Sequence, residues 1–453
     1  MRINNNYYLE MTSTYFLLRT TVISWCVLGT FSATSQQKIL TYHDQKFTKV
    51  KEEYYAFKED TIEVLEGDYR MFDLNGNVVV TGEYQDGLRE GLFYNYYASG
   101  AKQRETLYEK GLRQGVTKVY DEDGSIIQEA VFRNDTLSGL LKLYDEEGRI
   151  KGETAFKNGK PDGLVKSYFE NGTISEEINY LNGKPNGLTK KYHENGKIKL
   201  EAYYINGLLD GDYRTFFPSG KLEMEVRNLR GKKSGFIKAY HENGQLSSEG
   251  IYENGYLQGD YVAYYANGNL KSKYNYKNGR KQGKNTDYFE NEKVQVLAQY
   301  SNGGLNAVIE EFNEKGKLVS SKKIINELPA GDWKFYDDKG RPKLFETYEA
   351  GKLSGLREIY ENGKRIAEEQ YAFGMQQGLT KTYYPNGKLK EESNWKIGRL
   401  QGPFTRYYEN GQVEYTGNYN RNKRHGEWVY FDKKGVEQNK VTYQSGEIIN
   451  KNE

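Results

Sequence analysis

Four histidines are the first candidates for chemistry, because imidazole serves both as a general base and as a metal ligand. They are His43, His193, His241 and His425. His193 and His241 occupy the same place in a repeated string, Tyr-His-Glu-Asn-Gly, two repeats apart. If each repeat contributes two strands, roughly 19 Å separates them, which is too far for one metal ion. We therefore expect turn-exposed histidines and no metal site.

The carboxylates also recur with the repeat instead of forming a unique constellation. Glu170, Glu194, Glu242 and Glu409 all precede or follow the same turn residues, whereas a catalytic acid is normally unique in its chain and lies in a pocket. The sequence contains no phosphate loop, no H-E-x-x-H and no C-x-x-C motif. Cys26, the single cysteine, lies in an apolar run that we expect to be cleaved off. We expect no catalytic residue, no cofactor and no enzymatic activity.

The composition suits a thin sheet better than a thick core. Hydrophobic residues make up 36% of the chain, the mean hydropathy is −0.89, and 42 residues are tyrosine. An aromatic content of 14% is too high for a disordered chain, and tyrosine tolerates half-wet surfaces. We therefore expect much of both faces to be exposed. The 65 basic and 63 acidic residues are mixed along the chain, so no nucleic-acid partner is indicated.

The N-terminus has the pattern of a secretory signal peptide. An apolar run from Thr20 to Phe31 is followed by Ala33 and Ser35, small residues at the −3 and −1 positions of a cut before Gln36. The run is too short to span a bilayer. We predict a signal peptide at 1–35, export to the periplasm, cell envelope or medium, and no transmembrane segment in the mature chain. Both Met1 and Met11 remain candidate start residues.

The dominant feature is a repeat of about 24 residues. A small residue, glycine in all but one repeat, is followed five residues later by an aromatic, sixteen times between Gly67 and Phe431. The predicted repeat glycines include Gly91, Gly115, Gly139, Gly163, Gly187, Gly211, Gly235 and Gly259. The predicted structural or binding aromatics are Tyr96, Tyr120, Tyr144, Tyr168, Tyr192, Tyr240, Tyr264, Tyr288, Tyr336, Tyr360, Tyr383 and Tyr407. A second aromatic column lies twelve residues further on, which implies two strands per repeat.

Turn signals separate these strands. Asn171-Gly172 typifies the first turn of a repeat and Asn182-Gly183 the second. Asn-Gly favours type I′ hairpin turns, whose two central residues both need positive φ. Runs of about seven to nine residues between turns match ordinary strands. We therefore predict an all-β, continuous antiparallel meander of about 32 strands.

The predicted organisation is an N-terminal cap at 36–66, sixteen repeats at 67–435 and a C-terminal capping strand at 436–453. One repeat, from Gly355 to Gly378, is a residue short. Because a slip within a strand would turn later side chains to the other face, we place the loss in the turn. The repeat pattern degrades near Asn228 and across Glu292–Ala330, where Ala307 replaces the expected glycine.

Segments such as Tyr407-Tyr408-Glu409-Asn410-Gly411, followed by Tyr419 and Gly426, resemble the MORN repeat variant common in bacteria. The resemblance covers about residues 67–446. It implies an elongated, single-layer sheet of about 16 successive β-hairpin repeats. Proteins with this repeat are often labelled antitoxins of toxin–antitoxin pairs.

A basic column precedes the aromatic one by two residues on the same face. It contains Arg70, Lys118, Lys142, Lys166, Lys190, Arg214, Lys238, Lys334 and Lys381. We interpret it mainly as packing and solubility, because lysine stems can lie over neighbouring rings. The predicted function is a non-catalytic, exported module that binds or scaffolds a protein partner. The alternatives are glycan or cell-wall binding through exposed tyrosines, and an antitoxin-like partner of a toxin.

Overall fold

The computed structural model describes residues 35–59 and 62–452. The predicted signal peptide up to residue 34 lies outside the described residues. The chain forms two compact units, one running up to Ser125 with Arg133–Asp135, the other containing Ile126–Phe132 and the residues from Thr136 onward. The described residues of both units form β-strands and turns, with one 3-10 turn at Asn302–Gly304. Each unit is a single-layer antiparallel meander, as predicted.

The first unit contains β1 (Gln37–Tyr42), β2 (Val50–Glu59), β3 (Ile62–Phe72), β4 (Val78–Gln85), β5 (Leu88–Tyr96), β6 (Lys102–Glu109) and β7 (Leu112–Tyr120). The second begins with β8 (Ile126–Arg133), β9 (Thr136–Tyr144), β10 (Ile150–Lys157), β11 (Lys160–Tyr168), β12 (Ile174–Leu181), β13 (Lys184–Tyr192), β14 (Ile198–Ile205), β15 (Leu208–Phe216), β16 (Leu222–Leu229), β17 (Lys232–Tyr240), β18 (Leu246–Glu253), β19 (Tyr256–Tyr264) and β20 (Leu270–Lys277). It continues with β21 (Arg280–Lys281), β22 (Gly283–Tyr288), β23 (Val294–Ser301), β24 (Asn306–Phe312), β25 (Leu318–Ile325), β26 (Leu328–Pro329), β27 (Gly331–Tyr336), β28 (Pro342–Glu349), β29 (Lys352–Leu353) and β30 (Gly355–Glu361). It ends with β31 (Lys364–Ala372), β32 (Met375–Gln376), β33 (Gly378–Tyr383), β34 (Leu389–Lys396), β35 (Arg399–Tyr407), β36 (Val413–Asn420), β37 (Lys423–Phe431), β38 (Glu437–Gln444) and β39 (Glu447–Asn452).

The repeats account for the strands from β3 to β38. Four of these strands are interrupted and appear as the short pairs β21/β22, β26/β27, β29/β30 and β32/β33. When each pair is counted as one strand, the sixteen repeats contain 32 strands, the predicted number. The predicted cap at 36–66 forms β1, β2 and the start of β3. The predicted capping segment at 436–453 contains β39 and also β38, which carries Tyr443 and is the second strand of the sixteenth repeat.

The repeat glycines lie in a bulge that follows the second turn of each repeat. In a typical hairpin, Tyr180 pairs with Pro185 and Ile178 pairs with Thr189, so three residues centred on Gly187 face the single residue Asn179. Gly187 has a φ of 101°, a region that residues with a Cβ rarely adopt. The recurring glycine is thus explained by backbone geometry at a bulge.

Ala307 shows what happens when this glycine is replaced. The pairing of β23 with β24 runs without a register shift, from Ala298 opposite Ile309 to Ser301 opposite Asn306. The residues normally placed in the bulge move instead into the loop, which forms the 3-10 turn at Asn302–Gly304. The hairpin keeps its length because the loop has grown while the bulge has disappeared.

The two turns of a repeat differ, which corrects one prediction. In the second turn, Asn182 and Gly183 have φ of 51° and 81°, as type I′ requires. In the first turn only Gly172 has positive φ, and the Gly172 amide donates to the Phe169 carbonyl over 2.9 Å. This is the three-residue loop in which a type I turn ends on a left-handed glycine. The type I′ assignment of the first turn was therefore wrong.

The short repeat confirms the placement of its missing residue. Glu361 pairs with Lys364 across a two-residue turn, Asn362-Gly363, and both turn residues have positive φ. A type I′ turn here replaces the usual three-residue loop. The strand residues on both sides keep their faces, so the deletion is absorbed without disturbing the sheet.

Burial is concentrated on one face of the sheet, contrary to the expectation of two exposed faces. Nearly all buried side chains, including Leu141, Ala202, Val226 and Trp428, lie on what we call the packed face. The second aromatic column, with Phe132 as a buried example, lies on this face. The opposite face, which carries Lys166 and Glu177, we call the charged face.

Side chains on the packed face are matched in size across neighbouring strands. Three glycines on this face lie opposite large rings: Gly82 faces Phe93, Gly250 faces Tyr261 and Gly417 faces Trp428. A Cβ added to these glycines would come within 2.6, 2.8 and 2.3 Å of the respective ring. The large ring fills the space that the absent Cβ leaves, which is how a single layer reaches close packing.

Candidate binding surface

The charged face carries a ladder of alternating charges that runs across the strands. Lys166 pairs in register with Glu153 on one side and with Glu177 on the other. The pattern continues through the strands between β9 and β18, and includes Lys142, Glu153, Lys166, Glu177, Lys190, Glu201, Arg214, Glu225, Lys238 and Glu249. The basic column thus faces an acidic one, so this stretch forms no net basic patch. Opposite charges across strands stabilise the sheet modestly.

The predicted tyrosines border this ladder and bind its glutamates. The hydroxyls of Tyr144, Tyr168 and Tyr192 donate to Glu129, Glu153 and Glu177 over 2.9, 2.9 and 2.7 Å. Partial burial and, after it, the hydrogen bond to the glutamate together raise the pKa of each of these three tyrosines to about 12. These phenols are therefore neutral near pH 7 and engaged within the fold.

All twelve predicted aromatics lie at equivalent places and are half-buried. Each is the last residue of the first strand of its repeat, except Tyr360, which is the penultimate one. Tyr240 follows the same pattern and donates to Glu225 over 3.3 Å. Where Phe345 replaces the glutamate, its ring contacts Tyr336 and Tyr360 at centroid distances of 5.6 and 5.2 Å. Half-burial of these rings agrees with the half-wet surface expected of tyrosine.

The repeated histidines are structural, and they are not exposed in turns as predicted. Nε2 of His193 lies 2.8 Å from the Phe216 carbonyl, and Nε2 of His241 lies 3.0 Å from the Tyr264 carbonyl. Because a carbonyl oxygen only accepts, Nε2 carries the hydrogen. Both rings are half-buried. Each links the first turn of one repeat to the same place in the next repeat.

Tyrosines fill this linking position in other repeats. The hydroxyls of Tyr265, Tyr384 and Tyr408 donate to the carbonyls of Tyr288, Tyr407 and Phe431 over 2.8, 2.6 and 2.9 Å. Sequence reasoning missed this set of contacts. The signal was present, because histidine or tyrosine directly follows the column aromatic in each of these repeats.

The charged face also bears a row of exposed apolar side chains directly after the repeat glycines. Leu140, Leu164 and Leu188 are 37, 38 and 39% exposed, and Phe236 is 66% exposed. The row is interrupted at Asp212, which pairs in register with Arg227. An apolar row at a constant repeat position is a candidate contact surface, because monomers usually expose such residues singly.

Two open grooves flank this interruption. The first, of about 340 Å³, is lined by Leu188, Glu201, Tyr203, Gly211, Asp212, Arg214 and Arg227. The second, of about 470 Å³, is lined by Asp212, Arg214, Glu225, Val226, Arg227, Gly235, Phe236, Lys238 and Glu249. They meet at Asp212, Arg214 and Arg227, beside the degenerate position Asn228. Asn228 itself is buried on the packed face.

Within residues 35–59 and 62–452, no helix has the length and apolar character needed to cross a bilayer. In the same part of the chain, His, Cys, Asp and Glu side chains form no cluster of three that could hold a metal ion.

Two β-strands per repeat, a glycine bulge and paired aromatic columns define a repeat protein built from β-hairpins, a class that works through binding. The MORN repeat variant model matches residues 65–86, 113–134, 161–182, 185–206, 209–227, 237–254, 257–278, 376–396 and 400–421. The chain therefore contains nine MORN repeats of this variant between residues 65 and 421. The matches lie in both units, and the segments without a match include the repeat around Ala307.

No curated protein matches the chain. Among solved structures, a chain of the TcdB2-TccC3-Cdc42 complex shares 11% identity over 90% of this chain and 27% of its own length, with a TM-score of 0.13. A chain of the Photorhabdus luminescens Tc holotoxin pore shares 11% identity over 89% of this chain and 26% of its own length, with a TM-score of 0.14. A structure described as the eukaryotic initiation factor shares 12% identity over 86% of this chain and 90% of its own length, with a TM-score of 0.16. This chain spans about a quarter of the toxin chains' length.

Proposed function

We propose that this protein is a non-catalytic module that binds another protein through the charged face of its second unit. The observation that carries the proposal is the exposed apolar row Leu140, Leu164, Leu188 and Phe236. The packed face already supplies the buried contacts, so the row is not needed to hold the sheet together. Burial of exposed apolar side chains is a main source of free energy in protein association.

Non-catalytic action is supported by the state of the polar groups on this face. The recurring glutamates are engaged by lysines and tyrosines, as Glu177 is by Tyr192 at 2.7 Å and by Lys166 at 4.0 Å. A group engaged in this way in repeat after repeat lacks the singular environment of a catalytic acid. If Glu177→Ala abolished a measurable turnover in a chain that remained folded, the proposal would be wrong.

The proposed location is outside the cytoplasm, and it rests on the apolar run and small residues before Gln36. We expect N-terminal sequencing of the mature protein to begin at or near Gln36. A cytosolic protein retaining residues 11–35 would contradict export, and the antitoxin-like alternative would then gain support.

The binding proposal is tested by partner capture with variants of the chain from Gln36 onward. Leu164→Ser should remove the captured partner, because it places a hydroxyl in the middle of the apolar row. Glu242→Ala is the matched control, since Glu242 is an exposed turn residue away from the row. Equal capture by the Leu164→Ser and unaltered chains would refute binding through the row.

A second candidate, glycan binding, is supported by the groove beside Tyr203. This tyrosine is 45% exposed, and Asp212 and Arg227 line the same groove. An exposed ring next to fixed polar groups in a concavity suits a sugar. Binding of cell-wall oligosaccharides that Tyr203→Ala abolishes would favour this candidate over the first.

A further inference from the structure

The junction of the two grooves combines three features along one line across the strands. Leu188 pairs with Tyr203, Asp212 pairs with Arg227, and Phe236 pairs with Ile251. Tyr203 and Phe236 are exposed aromatic rings. Successive pairs are two strands apart, about 9.6 Å at the usual strand spacing. Two residues of opposite charge that face each other in register, Asp212 and Arg227, therefore lie between two apolar pairs at regular intervals.

The two charges of the central pair differ in their bonding. Asp212 accepts a hydrogen bond from Arg214 at 2.9 Å, and Arg214 also lies 3.8 Å from Glu225. The side chain of Arg227 is exposed and forms no hydrogen bond or ion pair with any residue of the described segments. Its guanidinium thus presents a planar fork of donors at the meeting point of the grooves, and that fork suits a carboxylate.

We propose that this junction binds a segment of a partner protein in which a Glu or Asp is flanked at three residues on each side by an apolar side chain. The carboxylate binds Arg227. One apolar side chain lies against Leu188 and Tyr203, and the other lies against Phe236 and Ile251. This proposal rests on protein binding through the charged face, and it specifies the partner.

The spacing of the junction selects the conformation of the bound segment. A polyproline II helix has three residues per turn and rises about 3.1 Å per residue, so every third side chain faces the same way at intervals of about 9.3 Å. In a β-strand the side chains on one face repeat at about 6.6 Å. In an α-helix the seven-residue repeat is about 10.5 Å. The polyproline II interval lies closest to the 9.6 Å estimated from the strand spacing.

The probe is the fluorescein-labelled peptide Pro-Leu-Pro-Pro-Glu-Pro-Pro-Leu-Pro, titrated with the chain from Gln36 onward and followed by anisotropy. We expect saturable binding, which weakens about tenfold or more when Gln replaces the Glu, because a charged hydrogen bond is lost. A peptide whose leucines lie two residues from the Glu should weaken similarly, because its spacing no longer fits.

Arg227→Gln should weaken binding of the original peptide by a similar factor, and Arg227→Lys should have an intermediate effect because it keeps the charge but not the fork. The matched control is Lys323→Gln, since Lys323 is an exposed cation at the same repeat position four repeats later. Circular dichroism and thermal melting of each variant report whether the fold is retained.

The results separate this proposal from the broader one. Absence of peptide binding, or equal binding by Arg227→Gln and Lys323→Gln, overturns the proposed site. Arg227-dependent binding of polygalacturonate without peptide binding also overturns it and favours a glycan ligand. If a captured partner is lost with Leu164→Ser but kept with Arg227→Gln, the binding function stands and this site does not.

Discussion

Gly417→Ala is the sharpest test of how a single-layer sheet holds together. Gly417 lies in β36, outside the positive-φ region, so its backbone conformation accepts alanine. Its added Cβ, however, would lie 2.3, 2.5 and 2.6 Å from Cδ2, Cε2 and Cγ of Trp428. Any effect is therefore one of packing and not of backbone strain.

Trp428 has little room to move away. It is fully buried, its Nε1 donates to the Asn418 carbonyl over 3.2 Å, and the Arg424 guanidinium lies 4.3 Å from its ring. The Tyr419 ring packs against it at a centroid distance of 5.1 Å. Overpacking of this kind costs about 1–3 kcal/mol. Replacing a permitted glycine by alanine regains about 0.4–1 kcal/mol, so we expect a net destabilisation of about 1–2 kcal/mol.

The assay is denaturant unfolding followed by tryptophan fluorescence, together with hydrogen exchange by mass spectrometry. Because repeat arrays behave as sums of local terms, protection should fall mainly across 399–443 and little before residue 330. The control is Gly152→Ala, which also has an ordinary φ and whose Cβ would meet only the Lys166 carbonyl oxygen at 3.5 Å. It should be neutral or slightly stabilising. Equal stability of the two variants would refute the size-matching argument.

Three further outcomes are expected. Gly283→Ala should destabilise the protein by about 1–2 kcal/mol, because the φ of 62° at this position strains any side chain although the space around it is open. Ala307→Gly should change stability by less than about 1 kcal/mol. Thermal melting of both variants checks these two expectations. Folding raises the pKa of Tyr192 to about 12 from an ordinary value of 10. The stability that this tyrosine contributes is therefore present below pH 10 and is lost as the pH rises towards 12. The midpoint of denaturant unfolding should fall over this pH range, and it should fall less in Tyr192→Phe. His193→Ala should lower the free energy of unfolding by about 0.5–1.5 kcal/mol, because the hydrogen bond to the Phe216 carbonyl is lost. His193→Tyr should keep the free energy of unfolding within about 0.5 kcal/mol of the original, because tyrosine makes the same contact in other repeats. Hydrogen exchange near residue 216 distinguishes the two variants.

The repeat period, the strand number and the second turn were predictable because each depends on local rules. Gly187 and Tyr192 recur at fixed spacing, and Asn182-Gly183 permits few conformations. The first turn was not predictable from its dipeptide alone, because Asn171-Gly172 suits either a two-residue or a three-residue loop and the strand register decides between them.

The candidate surface was less accessible to sequence reasoning. The tyrosine columns look alike in sequence, yet their environments differ because the bulge at each repeat glycine changes which residues share a face. The position of Arg227 becomes meaningful only when its register with Asp212 and its lack of a protein acceptor are known. Charge patterning alone could not distinguish it from the paired Arg214, which lies only thirteen residues earlier in the chain.

The links between first turns have a consequence for how such a chain can grow. Each link ends on a main-chain carbonyl, as His241 does at Tyr264, and every residue supplies such an acceptor. The matched pairs Gly250/Tyr261 and Gly417/Trp428 instead lie within hairpins closed by the second turn. A segment bounded by two first turns therefore carries its own size-matched pair, and each of its first-turn links needs only a backbone carbonyl from the next segment. Duplication or loss of such a segment in the gene would leave those links chemically complete, so recombination in units of 24 residues preserves this set of contacts at every step.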